Sequence, residues 1–204
     1  MNDATVKLDR RRLRTERSQD AVIDAMLDLY REGRIRPSAA EIAARAGVSE
    51  RTVFRLFDDL EAVATASIER QTARIGHLFA PPNNEGSRQE RIDALVEQRI
   101  QLYEEIGPVV RAARLRVPFS PVLQAGFDRR RWLLRRQVER QFRQEVDELA
   151  EPARSELLAS LEAATGIEML EALRYVQGQS VPATSAIVVR TVRALLNDAT
   201  PGGT

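Results

Sequence analysis

Residues 37–63, PSAAEIAARAGVSERTVFRLFDDLEAV, hold two short helical patterns joined by Gly47-Val48-Ser49. Ser38 followed three residues later by Glu41 forms a capping box, and Ile42, Ala43 and Ala46 supply one apolar face before Gly47 ends the helix. Ser49 then caps a second helix over about Glu50 to Phe57, in which Val53, Leu56, Phe57 and the following Leu60 fall on one stripe. Arg51, Thr52 and Arg55 are left on the opposite face. A glycine permits the sharp turn, Val48 plugs the gap between the helices, and the polar face stays free. This is the helix-turn-helix arrangement, whose second helix is suited to enter a DNA major groove with its capped first turn toward the base edges.

Outward from this motif every segment repeats its apolar residues at spacings of three and four, and none alternates as a strand does. Before the motif, a helix from about Arg12 to Glu32 aligns Val22, Ile23, Met26, Leu27 and Tyr30, and Gly33 stops it. After it, Asp58 with Glu61 predicts a cap for a helix carrying Val63, Ile68 and Ile75 toward Leu78. The loop APPNNEG at 80–86 breaks the chain, and Ser87 with Glu90 caps a helix to about Gly107. Pro108, Pro118 and Pro121 bracket a short helix. Further helices are expected from Val122 to Ala150, Pro152 to Thr165, Ile167 to Gln177 and Val181 to Asn197. The predicted fold is all-α, with about nine to ten helices. A DNA-binding domain with an N-terminal arm occupies 1–57, and a helical effector-binding and dimerisation bundle occupies 58–204.

Composition narrows the chemistry. There is no cysteine, so disulfides, thiol nucleophiles, thiolate metal sites and thiol redox sensing are excluded, and a reducing cytoplasm is the expected compartment. His77 is the only histidine, which removes His-rich metal sites, and at its helix end it reads as a surface or capping residue. We expect no catalytic residue, no metal, no cofactor and no enzyme activity. Asp58-Asp59-Leu60-Glu61 invites comparison with the Asp-rich magnesium motif of all-α prenyl-transfer enzymes, but Ala62 stands where that motif needs an acid. No apolar run is long enough to span a membrane, and the basic N-terminus lacks the apolar stretch of a secretory signal. Net charge is +1, with a basic excess up to residue 57 and an acidic excess beyond. Apart from Lys7 every basic residue is arginine, whose planar fork suits phosphates and guanine edges; GC-rich coding explains the same bias.

The ordered motif from Pro37 to Val63 resembles the DNA-binding signature of the tetracycline-repressor (TetR) family of bacterial regulators. Ile42-Ala43 and Ala46-Gly47-Val48-Ser49 match it directly, Ser38 stands at its capping hydroxyl, and Thr52 keeps a further hydroxyl. Three positions depart: Phe54 replaces the usual Tyr, Leu56 the usual His and Leu60 the usual Lys. The Tyr hydroxyl and Lys ammonium normally meet phosphates, so their loss removes contacts that contribute through counterion release. Arg51, Arg55 and the arm of Arg10, Arg11, Arg12, Arg14 and Arg17 are the candidates to compensate. The arm either follows phosphates or enters a minor groove, or is a solvated charge run. The expected DNA contacts are thus Ser38, Ser49, Arg51, Thr52, Phe54 and Arg55 with Arg10, Arg11, Arg12 and Arg14, and Gly47 serves the turn. Leu56 reads as core, and Phe54 either stacks on sugar-phosphate or fills a partly buried gap.

Over the rest of the chain the resemblance rests on helix order and a tail pattern, VQGQSVPATSAIVVRTVRALL. It implies a homodimer, with Leu157, Leu158, Leu161, Ile187, Val188, Thr191 and Leu195 near the two-fold axis or in the chain's own core, and an unidentified small-molecule effector. Tyr103, Phe119, Phe127, Trp132 and Tyr175 are the aromatic candidates for the effector pocket wall, or core. The Arg-dense segment DRRRWLLRRQVERQFRQE signals either an anionic effector or a solvated face laced with pairs such as Glu139 with Arg143. The implied function is a repressor, cytoplasmic and nucleoid-associated when bound, that an effector releases from a near-palindromic double-stranded operator. The rival is a helical ligand-binding protein of the same fold that has lost DNA recognition.

Overall fold

The computed structural model describes residues 3–80, 82 and 84–199; for 3–11 and 122 it describes the backbone alone. All regular structure among these residues is helical: α1 (Asp3–Arg31), α2 (Ala39–Ala46), α3 (Glu50–Leu56), α4 (Leu60–Arg74), α5 (Arg88–Arg114), α6 (Pro121–Gln141), α7 (Arg143–Asp147), α8 (Ala153–Thr165), α9 (Ile167–Glu171) and α10 (Val181–Ala199). None of these helices is long and apolar enough to cross a membrane. The chain forms two compact units. One runs through Arg74 and includes Pro108–Leu123; the other holds Ile75–Gly107 and the chain from Gln124 onward.

In the first unit α1 packs against α2, α3 and α4. Its core gathers Val22, Met26, Leu27 and Tyr30 from α1, Ile42 from α2, Val53 from α3 and Val63 from α4. Helices of 8 and 7 residues, as α2 and α3 are, would not persist alone. Burying each such aliphatic side chain contributes roughly 1.5–3 kcal/mol, and that packing sustains them. Two arginines tie the unit together. Arg70 of α4 pairs with Asp24 of α1 at 3.2 Å and also with Asp20. Arg116 pairs with Glu61 at 3.0 Å and lies over the Tyr30 ring.

The second unit packs α8 against α7, α9 and α10. Leu157, Leu158 and Leu161 of α8 and Val188, Val192 and Leu196 of α10 are buried. Arg91 of α5, itself buried, donates to both Glu145 oxygens, at 2.6 and 3.0 Å, while Arg88 donates to the same carboxylate at 3.1 Å.

Several boundaries depart from the sequence reading. α5 runs through Pro108 to Arg114 instead of stopping at Gly107. Inside a helix a proline clashes with the carbonyl four residues back and with the residue before it, and Gly107, having no Cβ, relieves part of the second clash. The single helix expected from Val122 to Ala150 is instead broken at Phe142, which is fully buried with φ −116° and ψ 30°. Near this break the Gln141 carbonyl accepts from Arg91 at 2.8 Å. Glu139 accordingly pairs with Arg135 and Arg136, not with Arg143, which opens the next helix. Asp59 caps α4 where Asp58 was expected, its carboxylate accepting from the Ala62 amide at 2.7 Å.

Candidate nucleic-acid interface

The local chemistry of the helix-turn-helix is laid down by its two serine caps. The Ser38 hydroxyl accepts from the Glu41 amide at 3.3 Å, while the Glu41 carboxylate accepts from the Ser38 amide and hydroxyl at 2.8 Å each. Those hydrogen bonds hold the Glu41 carboxyl below its ordinary range. At the other end of α2, Gly47 takes φ 66° and ψ 31°, and its amide closes the helix on the Ala43 and Ala44 carbonyls. This left-handed residue turns the chain sharply enough to begin α3 three positions later. Val48 packs partly buried on the core, as the plug reading requires. Ser49 caps α3 by accepting from the Thr52 amide at 3.2 Å, and the two hydroxyls lie 2.9 Å apart.

Val53 is buried on the inner face of α3, and Leu56 and Leu60 pack partly buried against the same core. Two of the three departures from the family pattern therefore serve packing. Phe54, the third, is half exposed on the outer face. Arg51 and Arg55 are also exposed there, and neither has an ion-pair partner among the described residues. Thr52 is half buried, its hydroxyl engaged with the Ser49 cap. The structure thus brings Ser49, Arg51, Thr52, Phe54 and Arg55 together on one helix, with Ser38 at the start of α2.

The basic arm is helical, since α1 starts at Asp3 and not at Arg12. Arg12 pairs with Glu16 at 2.9 Å, both well exposed. Arg14 and Arg17 are exposed with no ion pair among the described residues. The side chains of Arg10 and Arg11 lie outside the described residues.

The aromatic residues proposed for a pocket wall differ in exposure. Tyr103 is buried and donates to Glu171 at 2.6 Å. Trp132 and Tyr175 are exposed, and Phe119, in the first unit, is 85% exposed. Phe127 lines a cavity in the second unit, with Arg130 lying 4.2 Å over its ring. Arg99, which the sequence reading passed over, lines the same cavity. Its signal was present: Ile92, Leu95, Leu102 and Ile106 make an apolar stripe on α5, and Arg99 occupies a position of that stripe. Of the residues expected near a two-fold axis, Leu157, Leu158, Leu161 and Val188 are buried within the chain itself. Ile187, Thr191 and Leu195 stay partly exposed along one side of α10.

Two short helices, each capped by a serine and joined through Gly47, with the polar face of the second exposed, form the helix-turn-helix arrangement. No protein-family model matches the chain. A crystal structure of a transcriptional regulator from Rhodococcus sp. superposes with a TM-score of 0.66 at 18% identity, covering 90% of this chain and 96% of the other. A TetR transcription regulator from Haloarcula marismortui gives 0.64 at 12% identity, covering 89% and 97%. The fold is that of the TetR-type transcription regulators. In sequence, an uncharacterised HTH-type transcriptional regulator of Mycobacterium tuberculosis, in two strains, is 40% identical over 67 residues. That match spans 31% of this chain and 32% of the relative's length.

Proposed function

We propose that this chain is a sequence-specific, DNA-binding transcription regulator of TetR type, with α3 as its reading helix. The observation that carries the proposal is the outer face of α3, where Arg51 and Arg55 stand exposed beside Phe54 with no carboxylate among the described residues to neutralise them. A guanidinium held on a capped helix can fork onto guanine O6 and N7, each such pair being worth about 1–3 kcal/mol of discrimination. The chain works as a homodimer, which places two reading helices on a near-palindrome. Ile187, Thr191 and Leu195, partly exposed along one side of α10, supply part of the contact. Its role is that of a repressor, released when a small-molecule effector favours an arrangement unsuited to DNA; an effector with equal affinity for both arrangements would release nothing.

Thr52→Ala and Arg55→Ala test this reading. Quantitative binding to a selected duplex and to a scrambled one should show the ratio of the two affinities falling about fivefold or more for Arg55→Ala. The fall should be smaller for Thr52→Ala, whose hydroxyl already serves the cap. Unchanged ratios in both variants would favour the ligand-binding protein that has lost DNA recognition.

A further inference from the structure

We propose that the cavity walled by α5, α6, α8 and α9 in the second unit is a binding site for a short-chain monocarboxylate, whose carboxylate balances the charge of Arg99. Arg99 is 1% exposed. Its guanidinium donates to the Leu134 carbonyl at 2.9 Å and to the Gln137 side-chain oxygen, both neutral acceptors, and its Nε has no hydrogen-bond partner. Among the described residues no carboxylate pairs with it. Elsewhere in the same unit the buried guanidinium of Arg91 is matched by Glu145, so Arg99 is the exception that calls for an anion. Burial lowers the Arg99 pKa to about 10, which still leaves the group charged at neutral pH. A buried charge without a counter-ion is costly, and an anion brought beside it recovers part of that cost.

The remaining walls specify the rest of the ligand. Arg130 and Arg131 add two further cations against Glu162 and Glu168, so the lining carries a net positive charge. Glu162 is drawn toward Arg135 at 3.8 Å. The Thr165 hydroxyl is committed to the Leu161 carbonyl at 2.8 Å and competes for nothing. Leu134, Val138 and Ile167 make the apolar side of the cavity, which inorganic phosphate could not use. The volume is about 70 Å³, which limits the occupant to a small ligand. Propionate has that size, one carboxylate and an apolar tail.

The inference takes up the effector reading of this unit, but the test needs no DNA, so failure of DNA binding and failure of this site remain distinguishable. Thermal unfolding of the full chain is followed at constant ionic strength while chloride is replaced by propionate, with the neutral isostere propionamide as control. Fluorescence of Trp132, next in sequence to Arg131, is recorded in parallel. Propionate should raise the Tm saturably and propionamide should not. Arg99→Gln, which keeps an amide donor, should abolish the saturable response. Arg131→Ala, a change at an exposed side chain, should weaken it about tenfold, as loss of a charge-assisted hydrogen bond does. Equal responses to propionate and propionamide overturn the proposal, as does a response that survives in Arg99→Gln. If Arg99→Gln does not fold, an unchanged response in Arg131→Ala overturns it.

Discussion

Glu145→Gln is expected to destabilise the second unit by about 3–5 kcal/mol, because it removes one partner of a buried ion pair and leaves the other. The Glu145 and Arg91 side chains are 4% and 5% exposed, so water cannot take over from the lost carboxylate. Arg88, at 30% exposure, can rehydrate and adds little to the loss. Trp132 is the only tryptophan and belongs to this unit, so urea unfolding followed by its fluorescence reads the effect directly. The same carboxylate gives an acid limb. Burial pushes its pKa up, but hydrogen bonds from Arg91 outweigh this and hold it below the ordinary carboxyl range. A carboxyl whose folded pKa is depressed contributes its full stabilisation above its unfolded pKa and loses it as pH falls through the folded value. Stability of the wild type should therefore fall in acid more steeply than that of Glu145→Gln. Parallel pH profiles, or a loss below 1 kcal/mol at neutral pH, would show that the pair is not the anchor described here.

Gly47→Val is expected to lower the stability of the first unit by about 2 kcal/mol and to abolish specific DNA binding. Space is not the reason, since a Cβ built at Gly47 meets nothing within 4 Å. The cost lies in φ 66°, a left-handed conformation that costs an L-residue about 1–2 kcal/mol and a β-branched one more. The chain can relieve that strain only by reopening the turn, which tilts α3 and moves Arg51 and Arg55 off the reading face. Gly47→Asn is the control, because asparagine tolerates this region and should retain most of both properties. Denaturation midpoints and duplex affinities measured on the three proteins check the prediction. If Gly47→Val bound as the wild type does, the turn would not be what orients α3.

The helix-turn-helix was legible because its determinants are local. Ser38 with Glu41, Gly47 and Ser49 each act on backbone within four residues, and all perform in the structure the roles their spacing assigns. Where determinants were long-range, reading along the chain failed. Nothing at Phe142 announces a helix break; its burial and the demand of Arg91 for the Gln141 carbonyl come from another helix. Pro108 looked like a stop, yet Gly107 before it, having no Cβ, removed part of the steric reason for one. The cap of α4 slipped from Asp58 to Asp59 because either acid satisfies the pattern and only the backbone path chooses. Of the five aromatic candidates Phe127 lines the cavity of the second unit, beside a charge set on an apolar stripe, Arg99. On α8 and α10, apolar periodicity could not distinguish the chain's own core from a contact with a second copy, since both demand the same stripe.

Whether α3 reads DNA is decided by retention of short genomic duplexes on the purified protein at several salt concentrations. Sequencing of the retained pool at physiological salt should reveal one near-palindromic site, bound about a thousandfold or more tighter than bulk sequence. Retention that is sequence-blind and abolished by modest salt would mean that only phosphate attraction remains, and would contradict the assignment of α3 as a reading helix.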